Sequence, residues 1–248
     1  MDAWWIVVLG AMAAGLVQGI AGFGFGMVAM SFWVWILEPQ AAAALAVLGA
    51  VQGQLIAAVT VRRGFNACAL APFILGGLLG LPLGIYLLPQ LDMQWFKLLL
   101  GMFLVVVCPL MMFSALLPRI AYRPRWADAL VGLFGGVMGG LGGMTGVLPS
   151  LWCTLTGMEK DAQRAVLQNF NLSLLLVTTA SYIATGLVTA EVWLTYAMVA
   201  PAILIPSLMG GKLYKGLSER RFKQCVLGLL TASGITMLIA AVWPLLVH

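Results

Sequence analysis

The chain has 248 residues, 62% of them hydrophobic and only 8% charged, with a mean hydropathy of +1.05. A soluble domain carries about 25% charged residues, and 13 Lys and Arg with 8 Asp and Glu are too few to solvate a globule of this size. A soluble enzyme, a disordered regulator and a nucleic-acid-binding domain are excluded. The net charge of +5 is what loops use to orient a multi-pass membrane protein.

The start, Met1-Asp-Ala-Trp-Trp, lacks a basic n-region, so the first apolar segment is expected to stay and insert. A helical span needs about 20 apolar residues. Apolar stretches run over 4–37, 40–61, 67–89, 94–117, 127–157, 163–185, 191–211 and 222–247. Trp4, Trp5, Trp33, Trp35, Trp95, Trp126, Trp193 and Trp243 mark stretch ends, as expected of rings anchored among headgroups. Stretches 4–37 and 127–157 are too long for one span, and glycine interrupts both. The first holds Gly22-Phe-Gly-Phe-Gly26 and the second Gly139-Gly-Leu-Gly-Gly-Met-Thr-Gly146.

These interruptions expose an internal repeat. At an offset of 120, Gly15, Gly19, Gly22 and Gly26 fall on Gly135, Gly139, Gly142 and Gly146. Phe96-Lys97 falls on Phe222-Lys223 at 126, and Gln52-x-Gln54 lies at a depth comparable to Asn169-x-Asn171. The chain divides into repeats at 1–120 and 127–248, joined by a basic linker at 121–126, within a single membrane domain. Paired halves of this kind recur in transporters.

Charge sets the topology. Eight simple crossings divide the basic residues poorly between the two sides. If 4–37 and 127–157 each return to the side they entered from, Arg62, Arg63, Arg119, Arg123, Arg125, Lys160, Arg164, Lys212, Lys215, Arg220, Arg221 and Lys223 share one face. Only Lys97 falls on the other. The positive-inside rule favours this arrangement and puts both termini outside. Each half then begins on one face and ends on the other, so the repeats are inverted. The expected fold is an all-α integral membrane protein of two inverted repeats. Each repeat is a glycine-broken helix pair plus three transmembrane helices.

Non-helical backbone at membrane depth is tolerated where it is buried in protein or faces a cavity. A new helix is expected after each break, near Phe25–Met27 and Thr145–Val147, its unpaired N–H groups aimed at the centre. Helix N-termini bind anions without a formal positive charge, which would be costly at that depth. Two such ends near the midplane make a pocket for a small anion. Gly15-x3-Gly19, Gly76-x3-Gly80-x3-Gly84, Gly132-x3-Gly136 and Gly136-x3-Gly140 read instead as close-packing faces.

Polar residues in apolar spans form a second group: Gln18, Gln52, Gln54, Thr145, Gln168, Asn169, Asn171 and Ser173. They either hydrogen-bond between helices or offer neutral donors to a solute. Glu38, Glu159 and Asp161 sit at span ends, so no mid-span carboxylate stands out as a proton relay. Cys68, Cys108, Cys153 and Cys225 show no CxxC spacing, lie in apolar stretches and read as small buried hydrophobes. The single histidine, His248, is the last residue, which argues against a histidine metal cluster or a Ser-His dyad.

The two glycine motifs, from Gly15 to Met27 and from Gly135 to Pro149, resemble the paired glycine motifs of the TauE/SafE sulfite-exporter family. The segment from Gly157 to Ala165 is also similar to that family, and the resemblance covers essentially the whole chain. Phe23 and Phe25 depart from the family's usual glycine triplet, and Ala29 stands where a proline is common. The resemblance implies an inner-membrane carrier of sulfite, sulfonates or related oxidised-sulfur anions.

The expected function is a non-enzymatic secondary transporter of such anions, working by alternating access at a midplane site between the repeats. The expected substrate-binding set is Gly22, Gly24, Gly26, Gln52, Gln54, Gly142, Gly143, Thr145, Gly146, Gln168, Asn169 and Asn171. No catalytic residue, metal or cofactor is expected, and with no P-loop the chain does not hydrolyse ATP. The expected partners are a small anion and the lipid bilayer, with no nucleic acid. A homo-oligomer and the coupling ion stay open. An anion channel on the same pocket and a carrier of small carboxylates remain alternatives. An intramembrane protease lacks its histidine or GxGD aspartate, and a scaffold leaves the polar midplane residues unexplained.

Overall fold

In hydrocarbon every backbone N–H and C=O must be paired within the chain, and apolar segments of this length meet that demand as helices. The computed structural model describes residues 4–60, 64–114, 116–120, 122–213 and 219–246. Among them are α1 (Trp4–Ala21), α2 (Phe25–Trp33), α3 (Pro39–Thr60), α4 (Ala67–Leu87), α5 (Met93–Met112) and α6 (Arg125–Gly142). They continue with α7 (Val147–Leu155), α8 (Lys160–Ala184), α9 (Ala190–Leu213) and α10 (Glu219–Leu246), with no strand among the described residues. Among the described residues seven helices are long and apolar enough to span a bilayer: α1, α3, α4, α5, α8, α9 and α10. Helix α6 matches α1 in length, but its first turn carries Asp128.

Each half begins with a hairpin of unequal arms. Helices α2 and α7 have 9 residues each, about 13 Å at 1.5 Å per residue, or half the hydrocarbon core. Gly22 and Gly24, at φ 77° and 96°, turn the chain out of α1 and into α2. In the second half, Gly143 at φ 71° ends α6 and its N–H returns to the carbonyls of Gly139 and Met138, the left-handed glycine cap of many helices. A tryptophan ties each hairpin shut. Trp33 Nε1 donates to the Val7 carbonyl at 3.0 Å, and Trp152 Nε1 donates to Asp128 Oδ1 at 2.7 Å. The end of each short helix is thus fastened beside the start of its long one, and stretches 4–37 and 127–157 both fold back on themselves. Trp33 is fully buried in this role, which corrects its reading as a headgroup anchor. Trp4, Trp5, Trp35, Trp95, Trp126, Trp193 and Trp243 are exposed.

The halves interlock through the fourth helix of each. Helix α1 runs parallel to α9, with Gly15 against Ile203 and Gly19 against Ser207. Helix α6 runs parallel to α4, with Gly76 on Ala129, Gly80 on Leu133 and Gly84 on Val137. At these contacts bare backbone meets backbone, as the small-residue spacing predicts. Helices α5 and α10 run antiparallel: Gln94 Nε2 donates to the Ala241 carbonyl at 3.0 Å, and Gly101 faces Gly234.

Charge is segregated along the bundle. Lys97 Nζ lies 4.7 Å from the Trp35 ring centroid, where α2 ends and α5 begins. Lys160, Arg164 and Lys223 gather at the opposite end. Arg123 Nε pairs there with Asp128 Oδ1 at 2.9 Å. Arg62, Arg63, Lys215 and His248 lie outside the described residues, as do the side chains of Lys212, Arg220 and Arg221. Cys108 and Cys153 are buried, whereas Cys68 and Cys225 are exposed, which corrects the buried reading for those two.

Candidate functional site

The site grows from the two breaks, which touch. A methyl group on Gly26 would stand 2.6 Å from the Gly142 carbonyl oxygen, so a side chain there would hold the hairpins apart. Beside this contact lies a cavity of about 10 Å³, room for roughly one water. Both short helices present their N-termini to it. Gly24 and Phe25, the cap and first residue of α2, line it, as do Gly146 and Val147, the cap and first residue of α7. The first-turn N–H groups of a helix have no intrahelical acceptor, so two positive dipole ends converge on one small space.

Neutral polar side chains complete the wall. Gln18, Gln54, Thr145 and Asn171 line the cavity, and all four are buried. Thr145 Oγ1 donates to Asn171 Oδ1 at 2.9 Å, joining the second break to α8. Gln54 Nε2 donates to the Gly22 carbonyl at 2.9 Å, joining the first break to α3, and Gln18 Nε2 donates to the Ala50 carbonyl at 2.9 Å. Each half therefore fixes its break with an amide from the following helix. Gln54 Oε1 is buried with no hydrogen-bond partner among the described residues. An amide nitrogen carries two donors, so Gln54 keeps one N–H beyond its bond to Gly22.

A second, wider cavity of about 420 Å³ opens from this region toward the basic end. That volume is within the range of ligand pockets. Gly22, Phe23 and Gln54 form its floor, and Lys160, Arg164 and Lys223 lie in its wall with no Asp or Glu among the lining residues. Gln163, also in this wall, donates to the Ser150 carbonyl at 3.2 Å and to Thr154 Oγ1 at 3.1 Å. The pattern is a positively charged vestibule above a neutral, donor-rich pocket.

The structure brings Gly24, Gln54, Gly143, Thr145, Gly146 and Asn171 together at the deep cavity, and Gly22 and Gln168 at the vestibule. Gly26 and Gly142 form the contact between the breaks. Gln52 and Asn169 line neither cavity. Gln52 Nε2 donates to the Ala200 carbonyl at 3.0 Å and its Oε1 accepts from Tyr196 at 3.0 Å, binding α3 to α9. Asn169 Nδ2 donates to Ala165 of its own helix at 2.8 Å. Sequence reasoning missed Phe23 as a wall of both cavities. It also used Lys160, Arg164 and Lys223 for topology alone, although they converge on one cavity.

No curated protein and no solved structure matches the chain. The family model described as sulfite exporter TauE/SafE matches residues 7–237, nearly the whole length and both glycine motifs. With its seven apolar helices, this multi-pass membrane protein belongs to the TauE/SafE family of sulfite exporters.

Proposed function

We propose that the protein is a secondary carrier of small oxidised-sulfur anions, sulfite or organosulfonates, working by alternating access between two inverted repeats. The observation that carries this reading is the meeting of two helix N-termini in one neutral pocket beneath a cationic vestibule. An oxyanion spreads its charge over several oxygens. Converging N–H groups with the amide nitrogens of Gln54 and Asn171 can solvate those oxygens without a buried cation. The antiparallel course of α5 and α10, the last helices of the two halves, supports the inverted relation.

A deep cavity of about 10 Å³ is too small for a polyatomic anion, so substrate must enter by widening it. A site that opens and closes around its solute is a carrier's device. A channel needs a continuous path, and the contrast between about 420 Å³ and about 10 Å³ supports the carrier. On this reading the protein lies in the inner (plasma) membrane with the basic end in the cytoplasm. The deep set, Gly24, Gln54, Gly143, Thr145, Gly146 and Asn171, then holds the anion.

The test is a thermal-shift series on purified protein with sulfite, thiosulfate, methanesulfonate and a dicarboxylate, followed by counterflow in proteoliposomes. A ligand at 100 times its Kd stabilises the folded state by about 2.7 kcal/mol. Stabilisation and saturable counterflow with the sulfur oxyanions are expected. A response to the dicarboxylate alone would move the substrate class, and linear flux without counterflow would make the protein a channel.

A further inference from the structure

Phe23 stands between Gly22 and Gly24, both left-handed, and belongs to neither helix. Phe23 lines the vestibule and the deep cavity alike. Lys223 Nζ lies 5.3 Å from the centre of that ring, and Lys223 is itself part of the vestibule wall. A cation over an aromatic face is attracted by the ring quadrupole. The other half has no counterpart. The position 120 residues on is Gly143, where the Val47 backbone lies 3.3 Å from the place a side chain would begin. Phe25, the second ring of the motif, has a different task. It is 1% exposed and packs edge-on against Trp33, ring centres 6.2 Å apart, as part of the core.

We infer that Phe23 is the gate between vestibule and deep cavity, and that Lys223 is its anion-sensitive latch. An anion entering the vestibule pairs with the Lys223 ammonium and draws it from the ring. The ring then swings into the vestibule, whose volume accommodates it, and the mouth beside Gln54 opens. A neutral solute of the same shape leaves the lysine on the ring, so the latch selects for charge before the deep pocket is reached. The gate lies only on the vestibule side because only one of the two breaks carries a ring. This inference rests on the reading of the deep cavity as the substrate site.

Ala50 lines the deep cavity and is 2% exposed, which makes it a suitable reporter. The full-length protein, with Cys68, Cys108, Cys153 and Cys225 replaced by alanine and carrying Ala50→Cys, is reacted in vesicles with methyl methanethiosulfonate. Methanesulfonate, which spares the reagent, is the anion probe, and dimethyl sulfone is its neutral counterpart. Labelling is expected to be slow alone and with the sulfone. It should be about two- to thirtyfold faster with methanesulfonate, the change that loss of one cation–π contact gives. Lys223→Gln should label faster without any anion and lose the methanesulfonate response. Phe23→Ala should label fastest and Phe23→Leu at an intermediate rate, while Phe23→Tyr stays slow.

Slow labelling in both Phe23→Ala and Phe23→Leu overturns the gate, and a methanesulfonate response that survives Lys223→Gln overturns the latch. Uptake of labelled sulfite by the same vesicles separates this inference from the carrier reading. If sulfite moves while the Phe23 variants label slowly, the gate falls and the carrier stands. If Phe23→Ala opens the cavity but no sulfur oxyanion moves, the carrier falls and the gate stands.

Discussion

Gly26 and Gly146 fall on one another at the 120-residue offset, and by sequence a methyl group at either should block the anion and leave the helices intact. The structure separates them. A methyl on Gly146 would meet the end of the Asn171 side chain at 2.5 Å, and the backbone there, at φ −86°, suits alanine. Alanine favours the helical state by about 1 kcal/mol over glycine. Gly146→Ala is therefore expected to fold normally, displace Asn171 from Thr145, and lower sulfite affinity by roughly tenfold, the loss of about one hydrogen bond. A methyl on Gly26 meets the Gly142 backbone instead, which cannot rotate away, and overpacking of this kind costs about 1–3 kcal/mol. Gly26→Ala should lose melting temperature and transport together. Equal melting temperatures for the two variants would contradict this division. The amides divide in the same way: Asn171→Leu should weaken binding, whereas Asn169→Leu, which removes only a bond within α8, should bind sulfite within about twofold of wild type. Part of that division was legible beforehand. Residues two apart on a helix point about 200° away from each other, so Gln52 and Gln54, or Asn169 and Asn171, could not both face one site. Which of each pair does so depends on the neighbouring helix.

At the scale of elements, the hairpins are held by two tryptophans 119 residues apart, Trp33 and Trp152. Their bonds differ in consequence. The Val7 carbonyl lies in the body of α1, where the helix ladder already supplies a donor, so Trp33→Phe should cost on the order of 1 kcal/mol. Asp128 is 5% exposed, and Trp152 and Arg123 both donate to its Oδ1. Removing a donor from a buried carboxylate costs about 1–3 kcal/mol, so Trp152→Phe should lower the melting temperature more than Trp33→Phe. Equal losses would mean that ring packing, not the hydrogen bond, closes the hairpins. That the stretches fold back was legible from the placement of Lys and Arg, and the start of each short helix from the glycines. The staples were not. A tryptophan at the end of an apolar run looks the same whether lipid headgroups or another helix surrounds it, and only the packing of α1 on α2 makes Trp33 a core residue. The near-match of its spacing to the 120-residue offset of the glycines was the available clue.

For the whole molecule, the proposed function makes the vestibule tie the path of the solute to the charge expected to orient the chain. Lys160, Arg164 and Lys223 lie at the ends of α8 and α10 that meet the end of α5, and Lys97 stands at the far end of α5 beside Trp35. If basic loops remain in the cytoplasm, the conformation described has its wide cavity open to the cytoplasm and its deep pocket closed by Phe23. Orientation can be measured directly. Tyr122 is 76% exposed and lies at the basic end, in the segment that leads into α6. Glu191, exposed in the first turn of α9, follows the 25 residues of α8 to the opposite end. In a background without the native cysteines, Tyr122→Cys should react with an impermeant maleimide only from the cytoplasm, and Glu191→Cys only from outside. Eight simple spans would put both residues on the same face, because the hairpin 127–157 and the single crossing of α8 between them would become two crossings. Labelling of both from one side would therefore defeat the second hairpin, α6 with α7, as a membrane element. Labelling from opposite sides in the reverse sense would keep that hairpin and turn the vestibule outward, making the captured state one that receives its anion from outside the cell.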